Sequence, residues 1–221
     1  MLPLLSRSLS EIPTIFGCVV ALILWSKQVR SERYGGGVPA TIILTAPQTQ
    51  YEAALRLRPW RSDDLPSLVA AHRDPGLRRW LTNPLVEEAD ARNWLRAQVV
   101  GWSTATRFSF AVVTDSEKLV GHVMAKVVAP DVAEVGYWTA AHARGHGVAA
   151  RALETLSRWA LNEQHRPHLT RLELLHEEGN HASCRVAEKS GFALHERLPA
   201  APPTFPNNGH LHILTATMNP T

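Results

Sequence analysis

Between residues 55 and 218 the apolar positions change their period repeatedly, and each change predicts an element. Leu55-Arg56-Leu57-Arg58 alternates every second residue, as a half-buried strand does, and Pro59 closes it. Ser62-Asp63-Asp64 supplies an N-cap and an acidic first turn for a helix through about residue 72, with Leu65, Leu68, Val69 and His72 at helical spacing. Asp74-Pro75-Gly76 stops that helix. A turn-rich segment with Trp80, Leu81, Asn83 and Pro84 leads to a second helix over 87–100, with Trp94 and Leu95 among its apolar positions. Two β-branched runs, 107–114 and 118–128, flank Asp115-Ser116-Glu117 and predict a hairpin.

The same rhythm continues with an apolar strand over 132–139, a tight turn, and a helix over 148–162 that carries Leu153, Leu156, Trp159 and Ala160 on one face. Residues 170–176 set Leu172, Leu174 and His176 against Arg171, Glu173 and Leu175, which predicts a strand. Asn180 begins a short helix that ends near Ser190, with Gly191 suited to its C-cap. A strand over 192–197, a proline-rich loop over 199–209 and a last strand over 210–218 complete the order β α α β β β α β α β β. No internal repeat is present.

Residues 1–50 have a different texture. Residues 12–25 form an uncharged, mostly apolar run flanked by Glu11 and by Lys27, Arg30 and Arg33. As a helix it would reach roughly 21 Å, against a hydrocarbon core of about 30 Å, so a membrane span is not expected. A secretory leader fits poorly, because the small-residue site at Val38-Pro39-Ala40 stands too far from the run. The readings left are a loosely docked extension, a weak membrane-surface contact through 12–25, or translation from a start upstream of the true one. The glycines at 35–37 read as linker, and 55–218 as the single folded domain.

Composition narrows the function classes. The chain has 221 residues, 45% apolar and 19% charged, a formal net charge of +3 and a pI near 9.1. Its first 50 residues hold four Lys/Arg and two Asp/Glu, which leaves 19 against 18 for the rest. The body is therefore close to neutral and has no basic stripe, which argues against a nucleic-acid partner. Two distant cysteines, Cys18 and Cys184, make a disulfide framework unexpected and point to a reducing, cytoplasmic setting.

The turn at Arg144-Gly145-His146-Gly147 carries the chemistry. Glycines placed just before a helix free several backbone N–H groups to converge, and the helix dipole adds partial positive charge there, so the turn predicts an anion cradle. Gly145-x-Gly147-x-x-Ala150 also satisfies a dinucleotide fingerprint, but in that fold the strand runs straight into the first glycine. Here residues 140–144 intervene.

Arg144-x-x-Gly147-x-Ala149 instead resembles the R/Q-x-x-G-x-G/A signature of the GNAT acetyltransferase superfamily. Asn180-His181-Ala182-Ser183-Cys184-Arg185-Val186-Ala187-Glu188-Lys189-Ser190-Gly191-Phe192 resembles the family's N-x-x-S-x-x-v-a-e-k-x-G-F element. The wording Glu134-Val135-Gly136-Tyr137-Trp138 is similar to the RimJ/RimL-like branch, whose members acetylate ribosomal-protein N-termini among other amines.

The resemblance implies an α/β fold with a mixed, mostly antiparallel, seven-stranded sheet flanked by about four helices. It implies acetyl-CoA as donor, held by Arg144, Gly145, His146, Gly147, Val148 and Ala149 at the pyrophosphate. Val135, Trp138 and Thr139 of the preceding strand and Asn180 would lie along the pantetheine and acetyl groups. Glu134 is the expected base, acting directly or through water. Many relatives place a tyrosine acid where this chain has Ala187, so Ser183 is the expected substitute for protonating the thiolate. The segment around Trp80 would wall the acceptor site.

The leading acceptor is a protein or peptide N-terminus, whose amine, with a pKa near 7.7–8.0, is about a tenth neutral at pH 7. A small-molecule amine such as an antibiotic or polyamine comes next, and an acyl-CoA sensor without turnover is the rival from another class. Oligomeric state is expected to be monomer or homodimer. No metal is expected: His165-x-x-His168 and His210-x-His212 lack a cysteine or carboxylate at ligand spacing and read as surface or loop histidines. Cys184 reads as packed on its helix, with no His–acid arrangement to make it a nucleophile.

Overall fold

The computed structural model describes residues 42–162, 167–203 and 205–216. The apolar run 12–25, the linker, His165 and residues 217–221 lie outside them. Among the described residues no helix is long and apolar enough to cross a membrane.

Among the described residues eight strands form one sheet in the order β1-β2-β3-β4-β5-β6-β8-β7. They are β1 Leu44–Ala46, β2 Leu55–Pro59, β3 Arg107–Val113, β4 Leu119–Ala129, β5 Val132–Thr139, β6 Arg171–Glu177, β7 Ala193–Leu198 and β8 Gly209–Thr215. All neighbours are antiparallel except β5 and β6, which are parallel. Five helices cover the sheet: α1 Leu65–His72, α2 Pro75–Arg78, α3 Glu88–Ser103, α4 Val148–Ala160 and α5 His181–Lys189.

Two elements exceed the seven strands and four helices expected. The extra strand, β1, pairs Leu44–Ala46 with Leu57, Arg56 and Leu55, so the sheet begins inside the segment read as an extension. Three residues are too few to show a period, yet Ala46 is buried in the core. The extra helix, α2, arises because Asp74 ends α1 and at once caps a new turn, its Oδ2 accepting the Leu77 N–H at 2.8 Å.

Strand alternation divides the side chains between two cores. Phe108, Phe110, Val123, Ala133, Val135, Leu172 and Leu174 face α4 and α5, where Leu153, Leu156 and Ala187 are buried against them. Trp159 of α4 meets Phe108 and Phe110 edge-on at 5.2 and 5.5 Å. On the other face Ala111, Val113, Leu119 and Trp138 pack against Leu65, Leu68 and Val69 of α1, Leu77 of α2 and Ala91 of α3. The α1 face is the one its spacing predicts, since Leu65, Leu68, Val69 and His72 are its buried residues.

Buried imidazoles help to order this second core. The Leu85 N–H donates to His72 Nδ1 at 3.0 Å, so that ring is a neutral acceptor at Nδ1, while His122 Nδ1 lies 3.1 Å from the Trp60 Nε1–H and 3.0 Å from the Phe110 carbonyl oxygen. Burial pushes His122 down to about 3 and His72 down to about 4. At Gly121 a Cβ would stand 2.7 Å from the Trp138 carbonyl oxygen, so only glycine lets β4 pass the end of β5.

Candidate active site

β5 and β6 run side by side only from Val132↔Arg171 to Val135↔Leu174. Beyond that pair β5 stays bonded to β4 as far as Thr139↔Gly121, and β6 stays bonded to β8 as far as Glu177↔Gly209. The two parallel strands therefore part, leaving backbone groups of residues 136–139 unpaired on the side toward β6. Both carboxyl ends lie at the same edge of the sheet, the place where open α/β sheets take ligands.

The glycine turn closes one side of this gap. Gly145 and Gly147 adopt positive φ, +85° and +66°, and Gly147 is the N-cap of α4. Among the described residues the backbone N–H groups of 145–150 have no acceptor within the chain, the first helical donor bond being Arg151 N–H to Gly147 O. Six free amides at a helix N-terminus make a site for a diphosphate.

The side chains of the turn are committed elsewhere. The Arg144 guanidinium pairs with Asp74 at the α1–α2 corner, and this bond holds the Asp74 carboxyl below its ordinary range. His146 Nδ1 reaches Glu52 at 3.1 Å, Arg151 donates to the Pro47 and Ala53 carbonyls at 2.8 and 2.7 Å, and Val148 is buried in the core. His146 and Val148 are thus left with their backbone amides to offer a ligand, while the Arg144 N–H is donated to the Ala141 carbonyl. The side chains of Val135 and Trp138 are likewise buried, Trp138 beside Trp60, His72 and His122.

Glu134 stands one pair before the strands separate, half-buried, between Lys126 of β4 and Glu173 of β6. It lies on the α1–α3 face, where Arg107 loses basicity through burial and Glu134 offsets that loss. Ser183 lies on the opposite face, at the start of α5, and the parting of β5 from β6 is the opening between the two. Asn180 caps α5, its Oδ1 accepting the Ser183 N–H at 3.2 Å. Trp80 is half-buried with the Arg79 guanidinium 4.7 Å above its ring.

The site also includes a residue absent from the expected set. Tyr137 projects from β5 toward α5, and its hydroxyl is buried without a hydrogen-bond partner of normal geometry. Burial pushes the phenol up to about 12, while the nearby Ser183 draws it back. Its position two residues from Val135 sets it on the α5 face; the missing signal was the parting of the strands that leaves it facing Ser183.

The reading of His210-x-His212 as surface or loop histidines is corrected. Both are buried on β8, and they meet His176 of β6. Cys184 is packed, but against His176 and His210.

Substituting Gly147 tests the cradle. A Cβ there would meet only the Arg151 side chain at 3.9 Å, so Gly147→Val acts through the positive φ. Leaving that conformation is worth about 1–2 kcal/mol to a branched residue, and doing so turns the amides away. Acetyl-CoA affinity is expected to fall roughly tenfold or more by calorimetric titration; unchanged affinity would place the anion elsewhere.

Residues 54–193 match the family described as acetyltransferase (GNAT) domain. No curated protein sequence matches the chain. Among solved structures, a RimL ribosomal L7/L12 alpha-N-protein acetyltransferase in complex with coenzyme A superposes with a TM-score of 0.66 at 16% identity, covering 73% of this chain and 93% of that one. RimJ of Mycobacterium smegmatis gives 0.64 at 18% identity, covering 74% and 82%. The microcin C7 self-immunity acetyltransferase MccE, in complex with acetyl-CoA and AMP, gives 0.64 at 15% identity, covering 73% and 92%.

Proposed function

Because the chain belongs to the GNAT acetyltransferase family, we propose that this N-acetyltransferase moves acetyl from acetyl-CoA directly onto the α-amine of a protein or peptide N-terminus. The observation that carries the proposal is the parting of β5 from β6 between a cradle of six free amides and the start of α5. Likeness to RimL and RimJ favours the N-terminal acceptor. Likeness to MccE favours a small-molecule amine as the second reading.

The residues would divide the work as follows. Amides 145–150 hold the diphosphate, and the unpaired edge of β5 at 136–139 aligns the arm beyond it. Bound acetyl-CoA supplies an activated acyl group. Alignment of amine and acyl carbon contributes several kcal/mol to lowering the barrier. Glu134 takes the ammonium proton, directly or through water, and a backbone amide of β5 past its last pair with β6 steadies the carbonyl oxygen. Ser183 offers its hydroxyl to the departing sulfur, with Tyr137 as the group that orients it, so Ala187 need not be a tyrosine.

A screen of acetyl-CoA consumption against N-terminal peptides, polyamines and aminoglycosides tests the reading. Turnover is expected with peptides whose α-amine is free and not with the same peptides blocked at that amine. Turnover confined to polyamines or aminoglycosides would replace it by the second reading.

A further inference from the structure

Three histidines and a cysteine converge beneath α5. His176, near the end of β6, stands opposite His210 of β8, and His212 lies two residues along on the same face, opposite Leu174. The apolar row of Leu172 and Leu174 thus runs outward into imidazoles. α5 brings Cys184 over them, its Sγ 3.3 Å from His210 Nδ1 and 3.7 Å from His176 Nε2. One ligating atom from each of the four residues lies within 4.8 Å of the other three.

The rings are oriented from outside the cluster. His176 Nδ1 is 2.8 Å from the Glu177 carbonyl oxygen, which can only accept, so Nδ1 carries the proton and Nε2 turns its lone pair toward Cys184. His210 shows Nδ1 to the sulfur while its Nε2 lies 3.5 Å from a Glu178 carboxylate oxygen. His212 is 2% exposed, and neither of its ring nitrogens has a hydrogen-bond partner of normal geometry.

Hydrogen bonding within the group does not account for it. A thiol has one proton and can satisfy one nitrogen, and the sulfur already faces two. That leaves His212 buried with its polar atoms unmet, which is costly in a desolvated setting.

We propose that His176, Cys184, His210 and His212 form a tetrahedral Zn2+ site. Zinc bonds of about 2.3 Å to sulfur and 2.0–2.1 Å to nitrogen set tetrahedral ligand atoms roughly 3.3–3.6 Å apart. The two sulfur–nitrogen distances already stand near that spacing. The Glu177 carbonyl takes the second nitrogen of His176 and the Glu178 carboxylate stands 3.5 Å from that of His210, near the outer arrangement that metal-bound histidines have. A thiolate with three imidazoles suits zinc and excludes Mg2+ and Ca2+, which require oxygen. The histidines ligate as neutral rings, and the Cys184 thiol gives its proton to solvent as the sulfur–zinc bond forms. Four protein ligands leave no open position, so the ion is a structural clasp. It fastens α5 to β6 and β8 and thereby fixes Ser183, the residue before Cys184.

The test uses the full chain stripped of metal by chelation and titrated with Zn2+ or Co2+ alone, without acetyl-CoA. Elemental analysis is expected to give one zinc ion per chain. Co2+ is expected to give the intense visible bands of a tetrahedral site together with thiolate-to-cobalt charge transfer. Cys184→Ser should abolish the charge transfer and Glu178→Gln should weaken Zn2+ binding about 10–100-fold while keeping all four ligands. If the unaltered chain gives neither the tetrahedral bands nor the charge transfer, the site is refuted whatever the variants do. Equal Zn2+ affinity in the unaltered chain and in Cys184→Ser would refute it as well. Because the readout is metal binding, its outcome is separate from that of any acetylation assay.

Discussion

Glu134→Gln is expected to lower kcat about 100-fold with a peptide N-terminus at pH 7, while acetyl-CoA binding changes little. An ammonium group cannot attack a thioester, and the proton released as the nitrogen bonds to carbon needs an acceptor held in place. Glu134 is half-buried one residue pair from the point where β5 and β6 separate. Glutamine keeps its shape and removes its basicity.

The size of the loss reports on the acceptor as well. An α-amine with a pKa near 7.7–8.0 becomes neutral unaided as pH rises past 8, so the deficit should narrow there in initial-rate measurements. An amine near 10.4 would keep the full deficit over the same range. Glu134 also offsets the buried Arg107 charge. If the substitution lowered the melting temperature and left kcat untouched, Glu134 would be that counter-ion and nothing more.

What could be read in advance follows from how far apart in sequence the interacting residues lie. β5 was legible end to end, Val132–Thr139, because apolar residues and a glycine turn bound it locally. The glycine turn before α4, where Gly145 and Gly147 adopt positive φ, was read from the same few residues. The histidine cluster was not legible, because His176 and His210 meet only through the β6–β8 register and Cys184 arrives from a helix. The commitment of Arg144 to Asp74 spans 70 positions and was equally hidden. β1 escaped for a different reason: three residues carry no period, and their place is decided by the exposed edge of β2.

Asp64→Ala is expected to destabilise the fold by about 3–5 kcal/mol, the range found when one partner of a buried ion pair is removed. Arg58 is 4% exposed and Asp64 8% exposed. The pair is bidentate, with Arg58 Nη1 and Nη2 donating to Asp64 Oδ2 and Oδ1 at 2.8 Å each. The Asp64 bond raises the Arg58 pKa further, so alanine would strand a guanidinium that cannot shed its proton. Glu117 answers only its Nε, at 2.8 Å, and the Pro59 carbonyl answers Nη1 at 3.2 Å. Asp64 Oδ2 also accepts the Arg61 N–H at 2.8 Å, so the turn into α1 loosens too. In a domain of this size the loss corresponds to roughly 6–20 °C in Tm. Arg58→Met combined with Asp64→Leu should recover most of it, since an apolar pair of similar volume avoids desolvating two charges. The pair joins β2 to α1, three strands from the β5–β6 opening. Activity per folded molecule should therefore hold at 25 °C in both variants. A single variant as stable as the double would mean that water or Glu117 already solvates Arg58, and the corner would owe its order to apolar packing alone.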